Sequence, residues 1–199
     1  MVILASGSPR RKELLKLTGV EYEVITSDVD ETPTETEPSE IVKELSMRKG
    51  EDVYARTVED GRLDINAENL IVAADTLVFL DNTRLGKPGN AENSVKMLKE
   101  LSGRDHDVIT GVYLIYTNGG KKHTLSFYEK TKVSVLKLSD KEIEDYVATG
   151  EPFDKAGAYA IQGYFAKFIK GIEGEYANVV GLPVSRLYTE MKHIGFLKE

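Results

Sequence analysis

The first seventeen residues, MVILASGSPRRKELLKL, commit the chain to a strand, a turn and a helix in quick succession. Val2, Ile3, Leu4 and Ala5 form an apolar run that is too short to cross a membrane and suited to a buried strand. Ser6, Gly7, Ser8 and Pro9 then supply a turn, an N-cap hydroxyl at Ser8 and a proline at the first helical position. Arg10 to Leu17 follow, with Leu14, Leu15 and Leu17 as the apolar face. A helix start of this kind aims several unpaired backbone N–H groups at one spot. Arg10, Arg11 and Lys12 sit on the same turn, which makes it a ready site for an anion such as phosphate. The competing reading is a capped helix with a solvated basic first turn, whose cations oppose the helix dipole by roughly a few tenths of a kcal/mol.

Composition narrows the partners. With 199 residues, 41% hydrophobic and 30% charged, the chain can build one compact soluble domain spanning 1–199. A formal net charge of −7 argues against binding nucleic-acid polymers or anionic membranes, both of which need a broad basic surface. A single nucleotide needs only a local basic pocket, and residues 1–17 hold four Lys or Arg against one acid, Glu13. The absence of cysteine excludes disulfides and thiolate metal sites. No targeting segment or long apolar run is visible, so the cytoplasm is the default expectation.

Taken in order, Gly19 ends the first helix and Val20 to Thr26 alternate loosely as a second strand. Asp28 to Glu40 hold six acids, no bases and two prolines, the signature of a solvated loop. Folded back over the basic helix start, Asp30 or Glu31 would be placed to hold a divalent metal on a bound phosphate. Pro38 to about Arg56 has helical spacing, interrupted at Gly50, with Lys49 near its middle. Leu70–Ala74 and Leu77–Leu80 read as one long buried strand, broken only by Asp75 and Thr76. A carboxylate inside such a run is costly unless paired, hydrogen-bonded or coordinated. Asp75 is therefore either a catalytic or metal-binding acid or a strand-end residue bonded to a nearby turn.

Asp81-Asn82 is a turn signal, and Gly86-Lys87-Pro88 follows, with little to hinder a phosphate beside Lys87. Asn90 to Leu101 form an amphipathic helix. Asp107 to Tyr116 and Lys121 to about Leu138 read as two strands joined by Asn118-Gly119-Gly120, which makes this part of the sheet antiparallel. Ser139 to Thr149 form a helix opened by a capping box, Ser139 with Glu142. Gly150 to Tyr164, GEPFDKAGAYAIQGY, is a long loop, and long ordered loops are often functional. Phe165–Ile172 is read as a strand, Asn178–Leu182 as an apolar run and Pro183 to about Ile194 as the closing helix. His106, His123 and His193 fit no metal spacing.

Several of these stretches, in this order, resemble the Maf family of nucleotide pyrophosphatases. The motifs are SGSPRR at 6–11, DET at 30–32, AADT at 73–76, GKP at 86–88, DKAGAYAIQG at 154–163 and NVVGLP at 178–183. The resemblance implies a mixed α/β fold with a strongly curved sheet and two lobes around a central cleft, similar to the inosine triphosphate pyrophosphatases. It implies metal-dependent hydrolysis of a nucleoside triphosphate, with Mg or Mn, to monophosphate and pyrophosphate. Asp75 takes the place of the proton acceptor, and Glu31, Lys49 and Lys87 take catalytic places. Ser8 and Arg11 take substrate-binding places. One departure stands out: the family usually has E-K-A around its helical lysine, and this chain has Arg48-Lys49-Gly50. Within the family, Arg10, Thr76 and Gln162 match the subgroup acting on dTTP and UTP.

The residue chemistry agrees with that implication. Attack of water on a polyanionic phosphorus needs the charge neutralised, a task for Arg11, Lys49, Lys87 and a metal, and the water oriented and deprotonated, a task for Asp75. Metal ligation by Asp75, with Glu31, Glu151 or Asp154 as partners, is the alternative role. The Gln162 amide matches the N3–H and O4 of uracil or thymine, and Arg10, having donors only, favours O4 over the amino group of cytosine. The resemblance also makes a homodimer, removal of modified pyrimidine nucleotides and a link to septum formation expectations. A non-catalytic nucleotide-binding regulator of cell division is the rival.

Overall fold

A computed structural model describes residues 1–197. Its long central strand is β3 (Asn69–Leu80), which runs unbroken through Asp75 and Thr76. That overturns the strand-end reading of Asp75, the seventh of twelve residues in a strand buried almost throughout. β1 (Val2–Leu4) lies between β2 (Glu23–Val24) and β3 and pairs parallel with both. β2 is far shorter than Val20–Thr26, because its two residues are exposed and only Leu4 and Ile3 offer register partners. Asp81 and Asn82 turn the chain with φ of 48° and 63°, and β4 (Thr83–Leu85) returns antiparallel to β3. Beyond them come β5 (Asp105–Asn118), β6 (Lys121–Val135) and β7 (Ile169–Glu173), in the order β2-β1-β3-β5-β6-β7 with β4 on β3. Gly119 and Gly120, both at positive φ, make the tight β5–β6 hairpin that the sequence signals. The sheet is thus mixed, seven-stranded and open.

α1 (Pro9–Lys16) starts where expected, with Pro9 in its first turn and the Ser8 hydroxyl accepting from the Arg11 N–H. Its apolar face is narrower than predicted: Leu14 and Leu15 are buried, whereas Leu17 is the C-cap and is 72% exposed. α2 (Pro38–Glu59) continues straight through Gly50. A glycine inside a helix costs about 1 kcal/mol, and the buried stripe of Ile41, Val42, Leu45 and Val53 outweighs it. α3 (Ala91–Leu101) is capped by Asn90, and α4 (Asp140–Val147) carries the complete Ser139–Glu142 capping box. The segment after it departs from the sequence reading. Short 3-10 turns occupy Glu151–Asp154, Ala156–Ala158 and Tyr164–Phe168, so β7 begins only at Ile169. Phe165 and Phe168 bury their rings from a turn, not from a strand. α5 (Tyr176–Val180) takes in Asn178 to Val180 of the apolar run and leaves Gly181 and Leu182 outside it, and α6 (Val184–His193) follows Pro183.

The chain forms two compact units. The first comprises Met1–Asp75, Thr110–Glu129 and the segment from Gly181 onward, and its core includes Ile3, Val53, Ile71, Ala73, Tyr113 and Ile115. The second comprises Thr76–Ile109 and Lys130–Val180, around Val78, Leu98, Leu101, Val133, Ile143 and Phe165.

Candidate active site

In the first unit, three charged side chains meet. Lys49 Nζ donates to Asp75 Oδ1 at 2.6 Å and lies 2.7 Å from Glu31 Oε1. Asp75 and Lys49 have 9% and 10% of their side chains exposed, whereas Glu31 has 59%. Lys49 follows Leu45 and precedes Val53 at four-residue steps, so it rises from the apolar stripe of α2 onto the strand that holds Asp75. The second carboxylate oxygen, Asp75 Oδ2, is buried and has no hydrogen-bond partner. Leaving such an atom unsatisfied costs on the order of 1–3 kcal/mol or more for a charged group. An orphaned carboxylate oxygen beside a buried ammonium is an acceptor for a proton, a water or a cation.

Two glycines set the depth of this contact. A Cβ on Gly111 of β5 would lie 2.2 Å from the Val42 carbonyl oxygen of α2. One on Gly50 would lie 2.8 Å from Cδ1 of Tyr113 and 3.3 Å from Cβ of Ala73. Ala73 and Asp75 share one face of β3, as alternate strand residues do. Helix α2 therefore rests directly on the sheet, and the lysine beside Gly50 is brought within reach of Asp75. The glycine that departs from the family's usual alanine fits the Tyr113 ring of this chain. Tyr113 is held in turn, its hydroxyl donating to Glu51 at 2.8 Å.

The basic turn of α1 belongs to the same unit. Arg11 Nε donates to the Gly181 carbonyl at 2.8 Å, and a terminal nitrogen donates to Ser6 Oγ at 3.2 Å. Burial pushes the Arg11 pKa down, opposed by the charge of Asp75 and, more weakly, of Glu31; neighbouring Arg10 pushes it down further. Ser8 caps the helix, and Arg10 is exposed. The sequence singled out Arg11 and missed its two holders, although both lie within motifs, Ser6 in SGSPRR and Gly181 in NVVGLP.

The remaining sequence-predicted residues lie on the second unit. Thr76 follows Asp75 on β3 and is half-buried, while Lys87 and Gln162 are exposed. The GKP and DKAGAYAIQG segments are tied by backbone bonds, Gly157 N–H to the Gly86 carbonyl at 3.1 Å and Gly89 N–H to the Phe153 carbonyl at 3.2 Å. Glu151 braces the turn holding Gln162, accepting from the Tyr164 N–H at 2.9 Å and the Tyr146 hydroxyl at 2.7 Å. His106 is buried, with Nε2 2.7 Å from the Tyr159 hydroxyl, and burial pushes its pKa from 6.5 to about 4.

Among the described residues no group of three or more His, Asp or Glu gathers as a metal cage. Mg²⁺ commonly takes one or two carboxylates and leaves its other positions to water and phosphate. Asp75, with its orphaned Oδ2, and Glu31 fit that pattern.

A family profile described as Maf-like protein matches residues 1–194. The chain belongs to the Maf family. Similar Maf proteins include the "dTTP/UTP pyrophosphatase" of Agathobacter rectalis, 47% identical over 199 residues, covering 98% of this chain and 97% of that protein. Proteins of the same name from Bacillus cereus and Lachnoclostridium phytofermentans are 44% and 45% identical, covering 96% and 98% of this chain and 94% and 95% of theirs. The Maf resemblance read from the motifs is thereby shown over nearly the whole chain. Among the described residues no helix is long and apolar enough to cross a membrane.

Proposed function

We propose that this chain hydrolyses nucleoside triphosphates at the α–β phosphoanhydride bond, releasing a monophosphate and pyrophosphate, with dTTP and UTP preferred. The observation that carries the reading is Asp75, a mid-strand carboxylate buried against Lys49 with one oxygen unpartnered. The names of the relatives supply the substrate class. A carboxylate so placed is expensive to keep in a protein that only binds.

In this reading water attacks one phosphorus of the α–β bridge, and the bridging oxygen leaves with the other fragment. Asp75 takes the proton, and Lys49, donating to Oδ1, orients the carboxylate. Arg11, Lys49 and Lys87 balance the negative charge that gathers on the phosphoryl oxygens. Asp75 and Glu31 would hold a Mg²⁺ or Mn²⁺, which would supply further charge neutralisation on the phosphates. Both roles of Asp75 draw on Oδ2, and calorimetric titration of Asp75→Asn with Mn²⁺ separates them: retained affinity leaves proton acceptance, and lost affinity makes Asp75 a ligand.

Gln162, Arg10 and Thr76 belong to this proposal as the base-selecting residues. A site built on hydrogen bonds to a base edge discriminates by up to roughly 10⁴-fold. The expected order of kcat/KM is dTTP and UTP first, CTP weaker, ATP and GTP poorest. A wild-type preference for purines, or a Gln162→Glu variant with unchanged selectivity, removes the basis of the assignment. The strongly curved sheet, the likeness to inosine triphosphate pyrophosphatases, the homodimer and the roles in clearing modified pyrimidine nucleotides and in septum formation remain with the resemblance. Light scattering tests the dimer.

A further inference from the structure

The NVVGLP segment has a motif and no assigned task. Its Gly181 has φ of 132°, a conformation that L side chains rarely adopt, and its carbonyl accepts from Arg11 Nε at 2.8 Å across 170 residues of sequence. On another nitrogen of the same guanidinium, the Ser6 hydroxyl accepts at 3.2 Å. Ser6 is itself buried, and its Oγ also accepts from the Ser8 N–H at 3.3 Å, which ties it to the cap of α1. A guanidinium is planar, so acceptors on two of its nitrogens fix both its position and the plane of its remaining donors. A long arginine side chain that is not held in advance loses rotamer freedom when a ligand orders it.

We infer that Ser6 and Gly181 are positioning residues that hold Arg11 ready for the triphosphate, so that the first and last motifs of the chain act as one phosphate-binding device. This rests on the proposed role of Arg11. It also accounts for a glycine at 181: a side chain there strains the backbone that aims the carbonyl. Neither residue touches the reacting atoms; each acts through Arg11.

A double-mutant cycle with dTTP tests the inference. Arg11→Ala sets the full loss in kcat/KM, expected at about 10²-fold or more. Ser6→Ala, which removes one acceptor from a charged donor, is expected to lose about tenfold, and Gly181→Ala a similar amount. In the Arg11→Ala background each second substitution should change kcat/KM less than twofold. Binding of dTTP to Asp75→Asn, followed by calorimetry, should weaken in parallel when Ser6→Ala is added. Equal losses from Ser6→Ala with and without Arg11, or no loss at all, overturn the inference, and Gly181→Ala decides the matter independently if Ser6→Ala folds poorly. Failure of the underlying reading looks different: wild-type protein releases no pyrophosphate, or Arg11→Ala is harmless.

Discussion

Replacing Lys49 by Met removes the cation that faces Asp75 while keeping a side chain of similar length on α2. Asp75 is 6% exposed, and its Oδ2 already lacks a partner, so the variant leaves a carboxylate buried with neither oxygen compensated. Breaking a buried pair from one side typically costs about 3–5 kcal/mol. Glu31 adds little to this, because its exposed carboxylate regains water. For a chain of this length the loss corresponds to a fall in Tm on the order of 10 °C. Urea denaturation at pH 7.5 measures it, with an unchanged m-value showing that the native state is intact. The decisive variant is Lys49→Met with Asp75→Asn, which removes the stranded charge and should recover at least half of the lost stability. A loss below about 1 kcal/mol for Lys49→Met, or purely additive losses in the double variant, would refute the claim that the pair is buried and coupled.

Two further outcomes follow from the packing. Gly111→Ala drives a methyl into the Val42 carbonyl of α2, a backbone atom that cannot step aside, so it should destabilise by about 1–3 kcal/mol and reduce kcat by displacing Lys49; unchanged melting and kcat contradict the close helix–sheet contact. His106 is neutral when buried, whereas the unfolded chain binds a proton at its ordinary 6.5, so the folded state binds fewer protons and loses stability as pH falls from 6.5 toward about 4. The full effect is about 3 kcal/mol; His106→Phe should be less stable at neutral pH and lack that slope, and a parallel pH dependence would argue against a buried neutral imidazole.

The suspicious acid was legible in the sequence because burial cost is a local property: one Asp inside NLIVAADTLVFL must be explained whatever the fold. Its partner was not legible in the same way. Lys49 lies 26 residues away, and their contact depends on α2 pressing against Gly111 and on Gly50 admitting the Tyr113 ring, neither of which a helical pattern reveals. Gly50 read as an interruption for the same reason, since propensity counts its cost and not the tertiary contact it permits. The anion-binding turn at Ser8–Arg11 was visible as capping chemistry, whereas its brace at Gly181 required 170 residues of chain to return to the start. In the segment from Glu151 to Phe168, successive 3-10 turns have too short a period to show as hydrophobic alternation, and the two buried phenylalanines there imitated a strand.

Whether Asp75 serves hydrolysis at the α–β bond is decided by product analysis of dTTP turnover with Mg²⁺ or Mn²⁺, run on wild-type protein and on Asp75→Asn. The expected result is dTMP and pyrophosphate in equal amounts from the wild type, with no orthophosphate, and loss of nearly all turnover in the variant with folding retained. Release of dTDP and orthophosphate, nucleotide binding without turnover across several metals, or an Asp75→Asn protein as active as the wild type would contradict the proposed chemistry.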